Sequence, residues 1–469
     1  MTKEPRHLIV VGHGAAGLAA ALSAAESSAG IKQPIRITLI DKAPETAAGG
    51  NTRWSPSYIR MPAPDRVEPN FVEDMLAATQ AKGDRRYFTR LAQEAPATMK
   101  WLGANIELTQ PTYYLAKGPA RIQPRGGGPA LVSELTQAAK KLGVHFLYDC
   151  TAKTLLAENG QITGVKVIRN NAEESLSADA VILASGGFQA NKEMMRQHFG
   201  AGAEEMRLIS PGTIFNTGDG IRMAIELGAA RAGDWNGMHA EPVDARSMNS
   251  APVVLVYPYG VVIDQNGRRF FDEGRGLVHE TWEWFARDIH FKTPNSTAYA
   301  ILDSRLLEIS DYQRAIRSEI PPVRAETLAG LAKQLGVNQT NLEETVASYN
   351  ANCIGDPSIF DATRCDGLSA RNDLHPPKSN WARTIEVPPF LGYPLVGAIA
   401  YTFGGLATDE HTRVLSSDGP IPGLYAAGEI TGHFYVTAPN AVSILRALVF
   451  GRIAGREAIA GIGRIRSAD

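Results

Sequence analysis

Cysteine is nearly absent from this 469-residue chain. Its three thiols, Cys150, Cys353 and Cys365, are scattered, with no CxxC or CxH spacing. A disulfide framework, an iron–sulfur cluster and a cysteine-bound metal therefore lack support, and no metal is expected. No apolar run reaches the roughly 18 residues that cross a bilayer, so no membrane span is expected. Neither sign of charge dominates: 47 Lys plus Arg stand against 49 Asp plus Glu. Such a balance offers no net field to nucleic acid or to a lipid surface. No leader is expected before the first apolar run, and the expected location is cytoplasmic. Repeats of fixed period are missing as well. What remains is an ordinary globular composition on a chain too long for one core.

Glycine is plentiful, and it collects at the ends of apolar runs. Leu8 to Val11 reads as a buried parallel strand and leads into Gly12-His13-Gly14-Ala15-Ala16-Gly17, then into an Ala/Leu-rich helix. That spacing is the dinucleotide-binding fingerprint. Gly12 makes the tight turn, Gly14 admits a pyrophosphate to the backbone, and Gly17 lets helix and strand pack. The helix start adds free N–H groups and a positive dipole end. A second strand, Ile35 to Ile40, ends at Asp41, an acid placed to accept from a ribose hydroxyl. These features favour a nucleotide cofactor without choosing between NAD and FAD.

Further along, Gly49-Gly50-Asn51-Thr52 is a loop of small, hydrogen-bonding residues suited to lying against a flat ring. A helical pattern from Phe71 to Leu102 closes at Gly103. Tyr113 and Tyr114 are candidates for a ligand contact or for packing. An Asn159-Gly160 pair between two strand-like runs predicts a hairpin. The stretch around Ala184-Ser185-Gly186-Gly187 repeats the logic of the opening, and Gly218-Asp219-Gly220 opens another helix. Near Trp235 the pattern changes to mixed strands and amphipathic helices, and 364–377 reads as a linker. The expected organisation is a cofactor domain in two parts, 1–236 and 376–469, around an inserted cap at 237–375. After the cap, Leu424 to Ala427 forms a strand that ends at Gly428-Glu429, and a long helix is expected from about Thr437-Ala438-Pro439.

GHGAAG, Asp41, GGNT, ASGGF, TGDG and above all TDEHTRVLSSDGPIPGLYAAGEITG resemble the flavoprotein family of fumarate reductase and succinate dehydrogenase. The resemblance covers essentially the whole chain. Within the family, GGNT, GMHAEPVD, RRFFDEG and FGRIAGREA look closest to the soluble tricarballylate dehydrogenase-like enzymes. It implies an α/β fold: a Rossmann-like FAD-binding domain of the glutathione-reductase type with an inserted α+β capping domain. It also implies FAD. Gly12, Gly14, Ala15, Ala16 and Gly17 would hold the pyrophosphate, Asp41 and Lys42 the adenosine ribose, and Asp219 the adenosine side. Gly50, Asn51 and Thr52 would lie by the flavin, and Gly428 and Glu429 by the ribityl chain. Further cofactor contacts are implied at the Ala152-Lys153 step, Ala184, Ser185, Gly186, Asn216, and at Asn440, Ala441 and Val442 where the last helix should start. Asn51 stands where covalent members carry a histidine, so the FAD should be non-covalent.

The departures bear on chemistry. The family's proton-transferring arginine falls in register near Val278, and the nearest arginine is Arg275. The arginine of the family's NRLGGN stretch is absent from YVTAPNA, so fumarate or succinate is not the expected substrate. His239 matches a family histidine that contacts a substrate carboxylate. Forming or reducing a C=C bond needs hydride exchange at flavin N5 and proton exchange on the next carbon. Candidates for the catalytic work are Arg275, Tyr401, Tyr435 and His239. The leading reading is an oxidoreductase acting on a CH–CH bond beside a carboxylate or ketone in a small substrate. A ketosteroid- or oxocyclohexanecarboxylate-type dehydrogenase using tyrosines is the alternative, and a non-catalytic flavin carrier or redox-responsive binder is the third. Oxygen, a quinone or a partner protein are all open as electron acceptor.

Overall fold

The computed structural model describes residues 6–31, 33–111, 121–371 and 373–464, and Tyr113 and Tyr114 lie outside them. Arg6–Val11 is the central strand of a six-stranded sheet, with Leu8, Ile9 and Val10 fully buried. Ile35–Ile40 and then His145–Leu147 lie on one side of it. Ala180–Leu183, Gly419–Ala426 and Arg413–Ser416 lie on the other, and only the last pair is antiparallel. Sequence order reverses at the first strand, which creates a crevice at the strands' carboxyl ends, where a doubly wound sheet binds its ligand.

The helix that follows the glycine loop, Ala15–Ser28, is buried along most of its length. It packs on the sheet beside the C-terminal helix, Ser443–Arg464, whose small residues set the spacing. A Cβ added at Gly451 would stand 2.4 Å from Ala16 O, and one at Gly455 would stand 2.3 Å from Ala20 O. The two backbones therefore touch, which only glycine allows at those points. The last helix begins six residues later than the sequence suggests, at Ser443. Val436 (φ 64°) and Ala441 (φ 57°) take left-handed backbone, so the proline segment is a loop.

A second sheet is built around one long strand, Phe390–Thr402. Met238–Asp244, Ala298–Leu302 and Val323–Ala325 pair with it antiparallel, and Arg207–Leu208 pairs parallel. Val278–Lys292 is an amphipathic helix packed on this sheet through Val278, Trp282, Phe285 and Ile289. The second sheet thus reaches beyond 237–375, because its longest strand comes from the segment assigned above to the returning cofactor domain. The expected linker also differs: Ala370 and Lys378 exchange backbone hydrogen bonds of 2.9 and 2.8 Å. Lys378 is wholly buried, its ammonium bonded to Pro258 O at 2.7 Å and to Gly260 O. The hairpin follows expectation, with Glu158 opposite Gln161 and positive φ at Asn159 and Gly160. Both positive values suit the type I′ turn that matches strand twist.

Candidate active site

One long cavity follows the crevice from the glycine loop to the second sheet. Its cofactor end is lined by Gly12, Gly14, Ala15, Ala16, Asp41 and Lys42. Along its length come Gly50, Asn51, Thr52, Ala152, Ala184, Ser185, Gly186, Asn216, Asp219, Gly428 and Glu429. Gly17 lies beneath the loop, where an added Cβ would stand 1.8 Å from Gly12 O. Gly14 differs: its Cβ would meet nothing nearer than Thr52 Oγ1 at 3.7 Å. Protein packing therefore demands glycine at 17, whereas at 14 the open space faces the cavity. A glycine facing open cavity suits the close approach of a pyrophosphate.

The charged groups suit a nucleotide as well. Asp41 Oδ2 accepts from the His13 N–H at 2.7 Å and Oδ1 from the Ala43 N–H at 2.8 Å. Burial raises its carboxyl above the ordinary range, while those two bonds favour the charged form. Lys42 pairs with Asp219 at 2.9 Å and with the Thr217 hydroxyl. Burial would push the Asp219 carboxyl up, but Thr217 and Lys42 outweigh it and hold it below the usual value. Burial pushes Glu429 up to about 7, and its Oε1 accepts from the Thr402 N–H at 3.2 Å. Asn51 is fixed at both ends of its amide. It donates to Ala400 O at 2.7 Å and accepts from Ser210 and Thr213 at 2.9 and 2.7 Å.

At the second-sheet end the cavity wall holds Tyr401, Glu241, Arg317, Ser443 and Arg446. Burial raises the Tyr401 phenol far above its ordinary value, so it keeps its proton at any physiological pH. His239 is Tyr401's cross-strand partner and stacks on its ring at 4.7 Å, one layer behind the wall. Arg446 is 2% exposed, on a run of apolar helix, with its guanidinium over the Phe434 ring at 4.2 Å. It bonds to Thr431 O at 3.4 Å, and among the described residues it forms no ion pair with a carboxylate.

Several expected residues stand elsewhere. Arg275 does not line the cavity, and its guanidinium lies over the Trp284 ring at 4.6 Å. The Tyr435 hydroxyl accepts from the Gly233 N–H at 3.1 Å, also off the cavity. Lys153 is outside it, although its neighbours Thr151 and Ala152 line it. Asn440, Ala441 and Val442 are replaced at the wall by Ser443 and Ile444, because the helix starts later than the motif register suggests. Arg446, Arg317, Glu241 and Glu283 were not anticipated. The one visible signal was Arg446 itself, a lone charge in the apolar run SILRALVF that packing against the sheet must bury.

The doubly wound sheet, its glycine loop and the second sheet at the cavity's far end define a two-part nucleotide-cofactor oxidoreductase. Residues 7–441 match the FAD binding domain family (FAD_binding_2). The chain belongs to that family. It is similar to a probable fumarate reductase of Shewanella frigidimarina, 29% identical over 97% of this chain and 75% of the relative. It is also similar to a vinyl phenol reductase of Lactiplantibacillus plantarum, 26% identical over 96% of both. Among solved structures, the open conformation of a flavocytochrome c3 fumarate reductase superposes with a TM-score of 0.77. That match has 25% identity and covers 98% of this chain and 79% of the other. The fold is therefore that of the flavoprotein fumarate reductases, and the cofactor is FAD. Among the described residues no helix is long and apolar enough to cross a membrane.

Proposed function

We propose that this chain is an FAD-dependent oxidoreductase that forms or reduces a C=C bond beside a carboxylate or ketone in a small substrate. The observation that carries the reading is the pairing of Arg446 with Tyr401 on one cavity wall. A buried guanidinium that forms no ion pair among the described residues suits a substrate anion, since a buried charge costs several kcal/mol until it is paired. Tyr401, held protonated, is a fixed hydrogen-bond donor. Adding or removing hydrogen across such a bond places negative charge on the neighbouring oxygen, and a preorganised donor stabilises that charge as it develops. Bound FAD supplies the hydride exchange, and the chain's residues anchor, polarise and move protons. The expectation against charged substrates rested on missing arginines. Arg446 and Arg317 both line the cavity, so a carboxylate is restored as the preferred group.

The test is a panel. Dithionite-reduced protein is mixed anaerobically with acrylate, fumarate, 4-hydroxystyrene and 2-cyclohexenone, and flavin re-oxidation is followed. The carboxylates should re-oxidise it faster than the ketone. Re-oxidation by 2-cyclohexenone alone favours the tyrosine-based ketone dehydrogenase, and no response to any compound favours the carrier. A second expectation concerns attachment: acid or heat should release all the FAD into the supernatant, because the Asn51 amide offers no nucleophile for a flavin bond. Yellow precipitate after washing would refute it.

A further inference from the structure

Behind the cavity wall lies a cluster of titratable groups that the mechanism above does not use. His239 is 8% exposed and Glu283 is 2% exposed. His239 Nδ1 lies 2.8 Å from Glu283 Oε2, and its Nε2 lies 3.5 Å from Glu241 Oε1. The three groups come from two elements. Met238–Asp244 supplies His239 and Glu241, two residues apart, and Val278–Lys292 supplies Glu283. Glu241 lines the cavity, whereas His239 and Glu283 do not. The row therefore runs from the cavity into the cap.

Setting one buried and one half-buried carboxylate around a buried imidazole is expensive for a protein that needs only to tie a helix to a strand. Apolar packing of the same volume does that as well or better. A chain of two carboxylates and an imidazole, each within or near hydrogen-bond reach of the next, is however what a proton needs to leave a closed site. We propose that Glu241, His239 and Glu283 form the proton relay of the reaction, with Glu241 facing the substrate carbon and Glu283 at the outer end. This rests on the C=C reading above. In the reducing direction the cofactor's hydride forms one new C–H bond. As the new C–H bond forms on the neighbouring carbon, the His239 Nε2–H bond breaks and Glu241, resting as a carboxylate, carries that proton across to the carbon. His239 is recharged at Nδ1 from Glu283. Glu283 exchanges with water beyond Arg287, one helical turn further on and half-buried. Oxidation runs the same steps in reverse.

The surrounding charges set the direction in which each group titrates. Burial disfavours the charged imidazole, but Glu241 and Glu283 outweigh it and raise His239 to about 9. Burial raises Glu241 as well, yet His239 and Arg317 bring it below the ordinary value. Glu283 stays above its ordinary value because burial wins over His239 and Arg287. Tyr401 stacks on the ring, and Arg446 faces Tyr401 from the last helix. His239 is thus the loaded, cationic member at neutral pH, and the supply is lost as pH rises through about 9.

The test uses FAD-loaded protein reduced with dithionite and re-oxidised by acrylate, in H2O and D2O, with Glu283→Gln and Glu283→Asp. Glutamine keeps the shape and a hydrogen bond to His239 but cannot pass a proton. It should slow re-oxidation about tenfold to a hundredfold. Acrylate affinity should be unchanged, the D2O effect larger, and the fall in rate should move to lower pH, since Glu283 helps hold His239 charged. Aspartate should restore most of the rate. Should Glu283→Gln lose FAD, Glu241→Gln carries the same comparison from the cavity end. Equal rates and pH profiles in the glutamine variant and wild type overturn the relay alone. If acrylate and the rest of the panel fail to re-oxidise the wild type, the parent reading falls and the relay with it.

Discussion

Gly17→Ala is expected to give protein that holds little FAD and unfolds at markedly lower urea than wild type. The new methyl, on the first turn of the helix, would stand 1.8 Å from Gly12 O, a backbone atom at the end of the first strand. Gly12 N–H donates to Ile40 O at 2.8 Å, so the turn cannot retreat without breaking into the strand pair. Overpacking of a rigid core costs roughly 1–3 kcal/mol and more where backbone must move, and about 3 kcal/mol is more than a hundredfold in an equilibrium. Gly14→Ala is the matched control. Its methyl meets no protein atom closer than 3.7 Å, so folding should persist while FAD affinity falls. Urea midpoints and FAD-to-protein ratios of the two variants decide the matter. A Gly17→Ala protein with full flavin and an unchanged midpoint would show that the loop is built differently.

Tyr401→Phe is expected to keep FAD and the fold but to lower turnover about 10²- to 10³-fold, the usual cost of removing one preorganised donor. The ring stays stacked on His239 and only the hydroxyl is lost. Because burial keeps the phenol protonated well past neutral pH, its loss should lower the rate without adding a new inflection between about pH 6 and 9. Tyr435→Phe should be near wild type in the same assay, since its hydroxyl accepts from the Gly233 N–H away from the cavity. If the two phenylalanine variants exchange these outcomes, Tyr401 is a packing residue and the proposed donor is misassigned.

The cofactor half of this protein was legible in its sequence because its chemistry is local. A tight turn, a close backbone approach and an acid at a strand end are each specified within a few residues. Gly12, Gly14, Asp41 and Gly428-Glu429 are therefore recognisable from their neighbours in the sequence, and all of them line the cavity. The hairpin at Asn159-Gly160 was legible for the same reason.

The substrate half was not. Its groups come from a strand at 238–244, a helix at 278–292, a strand at 390–402 and the last helix, and no short-range pattern joins them. Motif register pointed to Arg275 and to a helix start near Pro439. Left-handed backbone at Val436 and Ala441 delays that helix to Ser443 and turns Arg446 into the cavity wall. Cross-strand pairing sets His239 against Tyr401, and helix packing brings Glu283 to its other side. The sequence alone thus determined a nucleotide cofactor and the general fold, since backbone conformation and periodicity are written in neighbouring residues, while FAD in particular followed from the resemblance to a family. Which side chains face the substrate was decided only by tertiary structure, because burial and charge pairing arise where distant segments meet.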